Sequence, residues 1–201
     1  ARLTGRTQVP HVERVPPARS RTSMQGDPRT LHHAGDAGRH SRHTGRHHVH
    51  AGLSAGRTAL LLIDPYNDFL AEEGKLWPLV AEVARHVDLH LRLEAVLSCI
   101  RQAGLPVFTV PHHRYEPDDF KGWDHPTPYQ LGAARMQPFA RDSWGGQWHP
   151  DFAPQPGDII VSEHWGSSGF ANTDLDYLLK QHRISHVILV GLIANTCVEA
   201  T

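Results

Sequence analysis

An uninterrupted apolar run that ends in a carboxylate constrains the fold of this chain most. Residues 59–63 read Ala-Leu-Leu-Leu-Ile, and Asp64 follows them directly. A strand with one solvent-facing side alternates apolar and polar residues, whereas a run without alternation is buried on both faces. The run therefore predicts a central strand of a parallel sheet that is covered by helices on both sides.

Apolar runs and helical patterns alternate along the chain after this strand. Residues 79–103 repeat apolar side chains at helical spacing and contain neither Pro nor Gly, which predicts one long amphipathic helix. Three more strands are predicted at 105–110, 158–161 and 186–191, and a second helix at 175–181. The alternation predicts an α/β fold, and a length of 201 residues leaves room for one domain.

The first 56 residues differ in composition from the rest. They hold nine arginines, three acidic residues and eight of the 17 histidines, but no Phe, Trp or Tyr. Such a segment has too little apolar surface to form a core, so residues 1–56 are predicted to be disordered and the domain is predicted to span 57–201. A role as an Arg- and His-rich arm for metal ions or phosphates is a weaker alternative.

Composition excludes several functional classes for the chain as a whole. The net charge is −1, which favours neither nucleic acid nor a membrane surface as a partner. No window approaches the roughly 18 consecutive apolar residues of a membrane-spanning helix. The two cysteines, Cys99 and Cys197, are too few for a disulfide framework, which favours a cytoplasmic protein.

Two side chains with reactive chemistry follow predicted strand ends. Asp64 follows the first strand, and Cys197 lies where the last strand gives way to a turn and a predicted helix start. The carboxyl ends of parallel strands meet at one edge of a sheet, so the pair would place a general base beside a thiol nucleophile. The alternatives are an Asp64 that caps the next turn and a Cys197 that only packs. Asp68 is predicted to be a local turn or cap residue.

Three ordered blocks resemble the isochorismatase-like cysteine hydrolases. They are residues 59–69, residues 157–161 with 168–176, and residues 191–201, and the resemblance covers essentially all of 57–201. It implies a three-layer, doubly wound parallel sheet of Rossmann or flavodoxin type. It also implies hydrolysis of a small amide or related C–N bond through a cysteine thioester. Family members continue past the position of Thr201, so the resemblance implies a C-terminally incomplete domain that is inactive alone and forms homo-oligomers at full length.

The family that this chain resembles has a catalytic triad of Asp, Lys and Cys, and the chain matches only part of it. Asp64 and Cys197 match their positions, but no Lys stands at the third. The resemblance places Glu163 there, and a shift of one residue would place Ser162 or His164 there instead. A carboxylate at this place opposes ionisation of both the aspartate and the thiol.

Two outcomes of that departure remain open. The acid–base work could be redistributed, with Lys121 or His112 of the long loop as substitutes. Alternatively, the chain is a non-catalytic scaffold or binding protein that keeps the fold.

The resemblance implies further site features. The peptide bond between Leu192 and Ile193 is expected to be cis, and the backbone N–H groups of Ile193 and Cys197 are expected to form an oxyanion hole. The residues expected to line the substrate pocket are Tyr66, Phe69, His164, Trp165 and Phe170.

No metal or other cofactor is predicted. The nicotinamidase branch of the family binds a metal through an Asp-x-His pair and a further His after the second strand. His112, His113 and Asp119 are suitable residue types here, but their spacing differs. The predicted partners are a small-molecule substrate and, at full length, further copies of the chain, with neither nucleic acid nor a membrane.

Overall fold

The computed structural model describes residues 54–201, which contain a four-stranded parallel sheet of order β3-β2-β1-β4. The strands are β1 (Thr58–Ile63), β2 (Val107–Val110), β3 (Ile159–Ile160) and β4 (His186–Gly191). The predicted disordered segment lies outside the described residues as far as residue 53. β2 and β3 are shorter than predicted, while β1 and β4 begin and end close to the predicted residues.

Helices cover both faces of the sheet. They are α1 (Asn67–Leu70), α2 (Trp77–His86), α3 (Leu89–Gln102), α4 (Pro128–Met136) and α5 (Leu175–Gln181). Leu60 and Leu62 of β1 pack with residues of α2 and α3, whereas Leu61 and Ile63 pack with residues of α5. The three-layer α/β architecture is therefore confirmed, and the unbroken apolar run of β1 reflects burial on both faces. In the described part of the chain, no helix combines the length and hydropathy needed to cross a membrane.

The prediction of one helix over 79–103 is wrong, because the chain breaks into α2 and α3. Asp88 between them adopts φ 50° and ψ 48°, the left-handed conformation that Asp tolerates better than most residues. The break lets Leu93, Leu97 and Ile100 of α3 reach the core. Apolar spacing alone does not reveal it, because the pattern continues across the turn.

Asp68 joins distant segments rather than only its own turn. Its buried carboxylate accepts hydrogen bonds from the backbone N–H of Lys75 at 3.0 Å and of Phe139 at 2.7 Å. We expect Asp68→Ala to lower the free energy of unfolding by roughly 2–5 kcal/mol, because two donors lose their acceptor. Urea denaturation measures this loss, and Asp124→Ala at an exposed position is the matched control. A loss no larger than that of the control would contradict the role assigned to Asp68.

Candidate functional site

The site begins at the carboxyl end of β1. Asp64 follows the strand in a left-handed conformation, with φ 53°, and its side chain is fully buried. Its backbone N–H donates to the Val110 carbonyl at 3.1 Å, which ties it to the end of β2. On the other side lies Gly191 of β4, with φ 130°, where a Cβ would approach the Ile63 carbonyl oxygen to 2.2 Å. A glycine is therefore needed for β4 to approach β1 beside Asp64.

Three side chains from three strand ends converge here. A carboxylate oxygen of Asp64, a ring nitrogen of His164 and the sulfur of Cys197 all lie within 4.8 Å of one another. Asp64 and His164 are fully buried, and Cys197 is 3% exposed. The backbone holds His164 in place, since its N–H donates to the Pro111 carbonyl at 2.9 Å. The structure thus brings together Asp64 and Cys197, and places His164 as the third member.

The hydrogen bonds of this cluster determine which of its nitrogen and oxygen atoms carry protons. His164 Nδ1 donates to the Gly166 carbonyl, which can only accept, and Nε2 lies 3.1 Å from Asp64 Oδ1. A carboxylate also only accepts, so an ionised Asp64 requires His164 to carry protons on both nitrogens. The other carboxylate oxygen, Oδ2, is buried and has no hydrogen-bond partner among the described residues. His164 therefore holds one oxygen of Asp64, and the carboxylate also lies beside the Cys197 sulfur.

The pKa values agree with an ion pair beside a neutral thiol. Burial alone would lower the pKa of His164, but its hydrogen bond to Asp64 and the charge of Asp64 outweigh burial and raise it. Burial and the charge of Asp64 raise the pKa of Cys197 to about 12, although the Thr196 hydroxyl and the Ile193 backbone N–H oppose this rise. The site therefore favours the protonated form of His164 and keeps Cys197 as a thiol at neutral pH.

The turn that carries Cys197 is wider than an α-helical start. Ala194–Val198 form a π-helical turn in which the Val198 N–H donates to the Ile193 carbonyl, five residues earlier, at 3.3 Å. The peptide bond between Leu192 and Ile193 is cis, as the resemblance implies. The Ile193 N–H faces the Cys197 sulfur closely enough to lower the pKa of the thiol. The predicted oxyanion donors Ile193 and Cys197 thus lie in one turn.

The structure does not bring Glu163 into the cluster. Its carboxylate binds Arg114 Nε at 2.7 Å, Arg141 Nη2 at 3.2 Å and His113 Nδ1 at 3.3 Å. These partners belong to the segment between β2 and β3, so Glu163 anchors that segment beside the site. The backbone directs His164 towards Asp64 and Glu163 towards the two arginines, so the assignment of Glu163 to the Lys position stays a prediction.

Acid should weaken the anchor that Glu163 provides. Burial raises the pKa of Glu163, but hydrogen bonds from His113 and Arg114 lower it by more than burial raises it. The resulting pKa is about 2, against an ordinary value of 4.5. The stabilisation is thus present above about pH 4.5 and is lost as the pH falls towards 2. We expect Glu163→Gln to cost about 1–3 kcal/mol at neutral pH and to flatten the loss of stability over that acid range, measured by urea denaturation.

Activity separates this anchoring role from a catalytic one. Glu163→Gln should retain turnover, because no atom of Glu163 belongs to the cluster of Asp64, His164 and Cys197. The matched control is Glu73→Gln at an exposed position. Loss of turnover as complete as in Cys197→Ala would restore Glu163 to the catalytic set.

The other predicted pocket residues divide into three groups. Tyr66 and Phe69 belong to the hydrophobic core, where the Tyr66 ring stacks on Phe139 and Trp148 at 4.8 Å each. Phe139 and Trp148, from the segment after β2, pack over Tyr66, and Phe139 also packs on Phe69. Trp165 stacks on His113 at 3.6 Å and lines a cavity, and Phe170 is 39% exposed.

Sequence reasoning missed or undervalued two residues of the loop between β2 and β3. His112 follows β2 and is 5% exposed, with its ring 5.0 Å from that of His164. The Tyr129 hydroxyl of α4 lies 2.8 Å from His112 Nε2. The position of His112 after a strand end was a usable signal, whereas nothing in the sequence marks Tyr129.

The site contains side chains of types that can bind a metal ion, but most of them form hydrogen bonds with other side chains. Asp64, His164 and Cys197 are possible ligand types, yet Asp64 and His164 already share a hydrogen bond. In the loop, His112 bonds to Tyr129 and His113 bonds to Asp119, so these side chains do not share one point. The absence of a metal stays a prediction.

Comparisons with known proteins fit this arrangement. A family model, the isochorismatase domain, matches residues 58–201. Ureidoacrylate amidohydrolase RutB of Pantoea ananatis is 28% identical over 169 residues, which are 75% of this chain and 64% of that protein. The chain spans less than two thirds of the length of the curated relatives it matches.

Solved structures are similar to the same region. A cysteine hydrolase of Pseudomonas syringae pv. phaseolicola matches with a TM-score of 0.58 and 23% identity, covering 74% of this chain and 65% of that one, which supports the fold. N-carbamoylsarcosine amidase of Thermoplasma acidophilum matches with a TM-score of 0.52 and 26% identity over 72% of each chain. With a family match that extends from the start of β1 to Thr201, this chain belongs to the isochorismatase family.

Proposed function

We propose that the protein is a cysteine hydrolase that cleaves a C–N bond of a small amide or ureido compound. The observation that carries the proposal is the buried Asp64 carboxylate, which is bound to His164 through Oδ1 and has an oxygen within 4.8 Å of the Cys197 sulfur. The similarity to ureidoacrylate amidohydrolase and N-carbamoylsarcosine amidase supports the same bond type.

In this proposal His164 takes the role that the resemblance gives to Lys. A protonated imidazole supplies the positive charge that keeps a buried aspartate ionised. It also fixes the carboxylate, because Nδ1 is bound to Gly166 and Nε2 to Asp64. His164 is thus a positioning residue, while Asp64 is the base and Cys197 the nucleophile.

The first half of the reaction forms an acyl enzyme. Asp64 takes the proton of the Cys197 thiol, and the sulfur attacks the substrate carbonyl carbon, forming a C–S bond. The carbonyl oxygen becomes an oxyanion that the N–H groups of Ile193 and Cys197 stabilise. The C–N bond then breaks, Asp64 returns the proton to the leaving nitrogen, and ammonia or an amine departs.

The second half releases the acyl group. Asp64 removes a proton from water, whose oxygen attacks the thioester, or the thiocarbamate that a ureido substrate forms. The C–S bond breaks, the acid or carbamate leaves, and the proton on Asp64 returns to Cys197. The Asp64 carboxylate, which lies beside the sulfur, is the acceptor that both halves require.

Covalent trapping tests this proposal. The full chain is incubated with p-nitrophenyl acetate, and intact mass spectrometry follows acetylation. We expect acetylation at Cys197 that Cys197→Ala removes, whereas Cys99→Ala, at the exposed second cysteine, retains it. Ammonia release from N-carbamoylglycine then measures turnover.

The contrary result favours a different function. A folded chain without acetylation at Cys197 and without ammonia release would support the non-catalytic scaffold or binding protein. The observation that favours this alternative is the high pKa of the Cys197 thiol, since burial beside Asp64 keeps it protonated at rest.

A further inference from the structure

Tyr129 is linked to the site through His112 and lies on a helix that a capping box fixes. α4 begins after Thr127, whose Oγ1 accepts from the Gln130 N–H at 3.3 Å, while Gln130 Oε1 accepts from the Thr127 N–H at 2.9 Å. The Tyr129 hydroxyl lies 2.8 Å from His112 Nε2. The His112 ring in turn lies 5.0 Å from the His164 ring. One turn of a loop helix is thereby linked to the buried cluster.

The direction of the hydrogen bond between Tyr129 and His112 follows from its neighbours. His112 Nδ1 lies 2.8 Å from the His113 carbonyl, which can only accept, so Nδ1 carries a proton. Burial lowers the pKa of His112 and keeps the ring neutral, so Nε2 accepts. The Tyr129 hydroxyl therefore donates its one proton to His112, and its oxygen offers only lone pairs to any other group.

That oxygen lies beside the site, because its partner His112 contacts the His164 ring. Partial burial of the hydroxyl and the charges of Cys197 and Asp64 raise the pKa of Tyr129, although the residue as a whole is 47% exposed. His112, Tyr129 and Trp165 also line one small cavity, which His112 connects to His164. A hydroxyl oxygen that has no proton to give, placed beside the site, favours a ligand that presents an N–H or O–H donor.

We propose that Tyr129 determines specificity by accepting a hydrogen bond from the N–H of the leaving nitrogen of an amide or ureido substrate. This inference rests on the proposed function and adds the group that distinguishes a nitrogen from an oxygen leaving group. An ester has no proton on its leaving oxygen and makes no such bond. His112 is a positioning residue, because it fixes the direction of the hydroxyl.

The test compares two ligands that differ only at the leaving group, N-carbamoylglycine and N-methoxycarbonylglycine. Their dissociation constants are measured by calorimetry in a Cys197→Ala background, which needs no turnover. Tyr129→Phe should weaken the ureido ligand about tenfold, the size of one lost hydrogen bond, and leave the carbamate ester unchanged. In the active chain the ratio of kcat/KM for the two compounds should shift by the same factor.

Two further variants make the outcome decisive. Tyr177→Phe, at a 63% exposed tyrosine of α5, is the matched control and should change neither ligand. His112→Phe removes the acceptor of the Tyr129 proton and frees the hydroxyl to donate, so this variant should also reduce the preference for the ureido ligand. It provides the same test if Tyr129→Phe does not fold.

The proposal is overturned if both ligands weaken equally or if neither changes in these variants. Failure of the proposed function is a separate result, since it would appear as a wild-type chain in which Cys197 is not acetylated.

Discussion

Replacement of Asp64 by Asn should abolish turnover and at the same time accelerate alkylation of Cys197. The charge of Asp64 is, after burial, the main cause of the raised pKa of the thiol. Asn removes that charge, so the pKa of Cys197 falls from about 12 towards the ordinary value of 9.0. The thiolate fraction near neutral pH then increases about tenfold for each unit of pKa.

Hydrolysis should respond in the opposite direction, because Asn accepts no proton. We expect kcat to fall by about 10²–10⁴, the usual contribution of a general base. Iodoacetamide alkylation in a Cys99→Ser background, followed by mass spectrometry, gives the pKa of Cys197. Asp176→Asn, on the exposed side of α5, is the matched control. Slower alkylation together with lost turnover would indicate that Asp64 holds the site together rather than acting as its base.

Replacement of His164 should affect stability as much as activity. His164→Ala leaves the buried Asp64 carboxylate without its cation, and breaking a buried ion pair in this way costs about 3–5 kcal/mol. Urea denaturation measures this cost. Turnover should be lost as well, because Asp64 loses the hydrogen bond that positions its carboxylate beside the thiol.

His164→Lys provides the matching test of charge. A lysine restores a cation at the same place, so we expect turnover and most of the stability to return relative to His164→Ala. If His164→Lys is as inactive and unstable as His164→Ala, then ring geometry rather than charge is what the site requires.

The parts of the site that lie on regular strands could be predicted from the sequence. The run before Asp64 is apolar without interruption because β1 is buried on both faces, and Cys197 follows β4. Parallel strands bring their carboxyl ends together, so the approach of these two side chains follows from the topology.

The third member of the site could not be assigned from the sequence in the same way. β3 has only two residues, so no alternating pattern fixes which way Glu163 and His164 point. Their directions depend on hydrogen bonds to Pro111 and Arg114, far away in the sequence. Tyr129 lay beyond prediction for a related reason, because no residue of α4 is buried and the helix carries no apolar signal.

The burial of Cys197 also bears on resistance to oxidation. Peroxides and disulfides react with thiolates, and a buried thiol whose pKa is about 12 exposes almost no thiolate at neutral pH. The exposed Cys99 is open to oxidants instead. The charge of Asp64, the proposed base, therefore also protects the resting sulfur from oxidation by keeping it protonated.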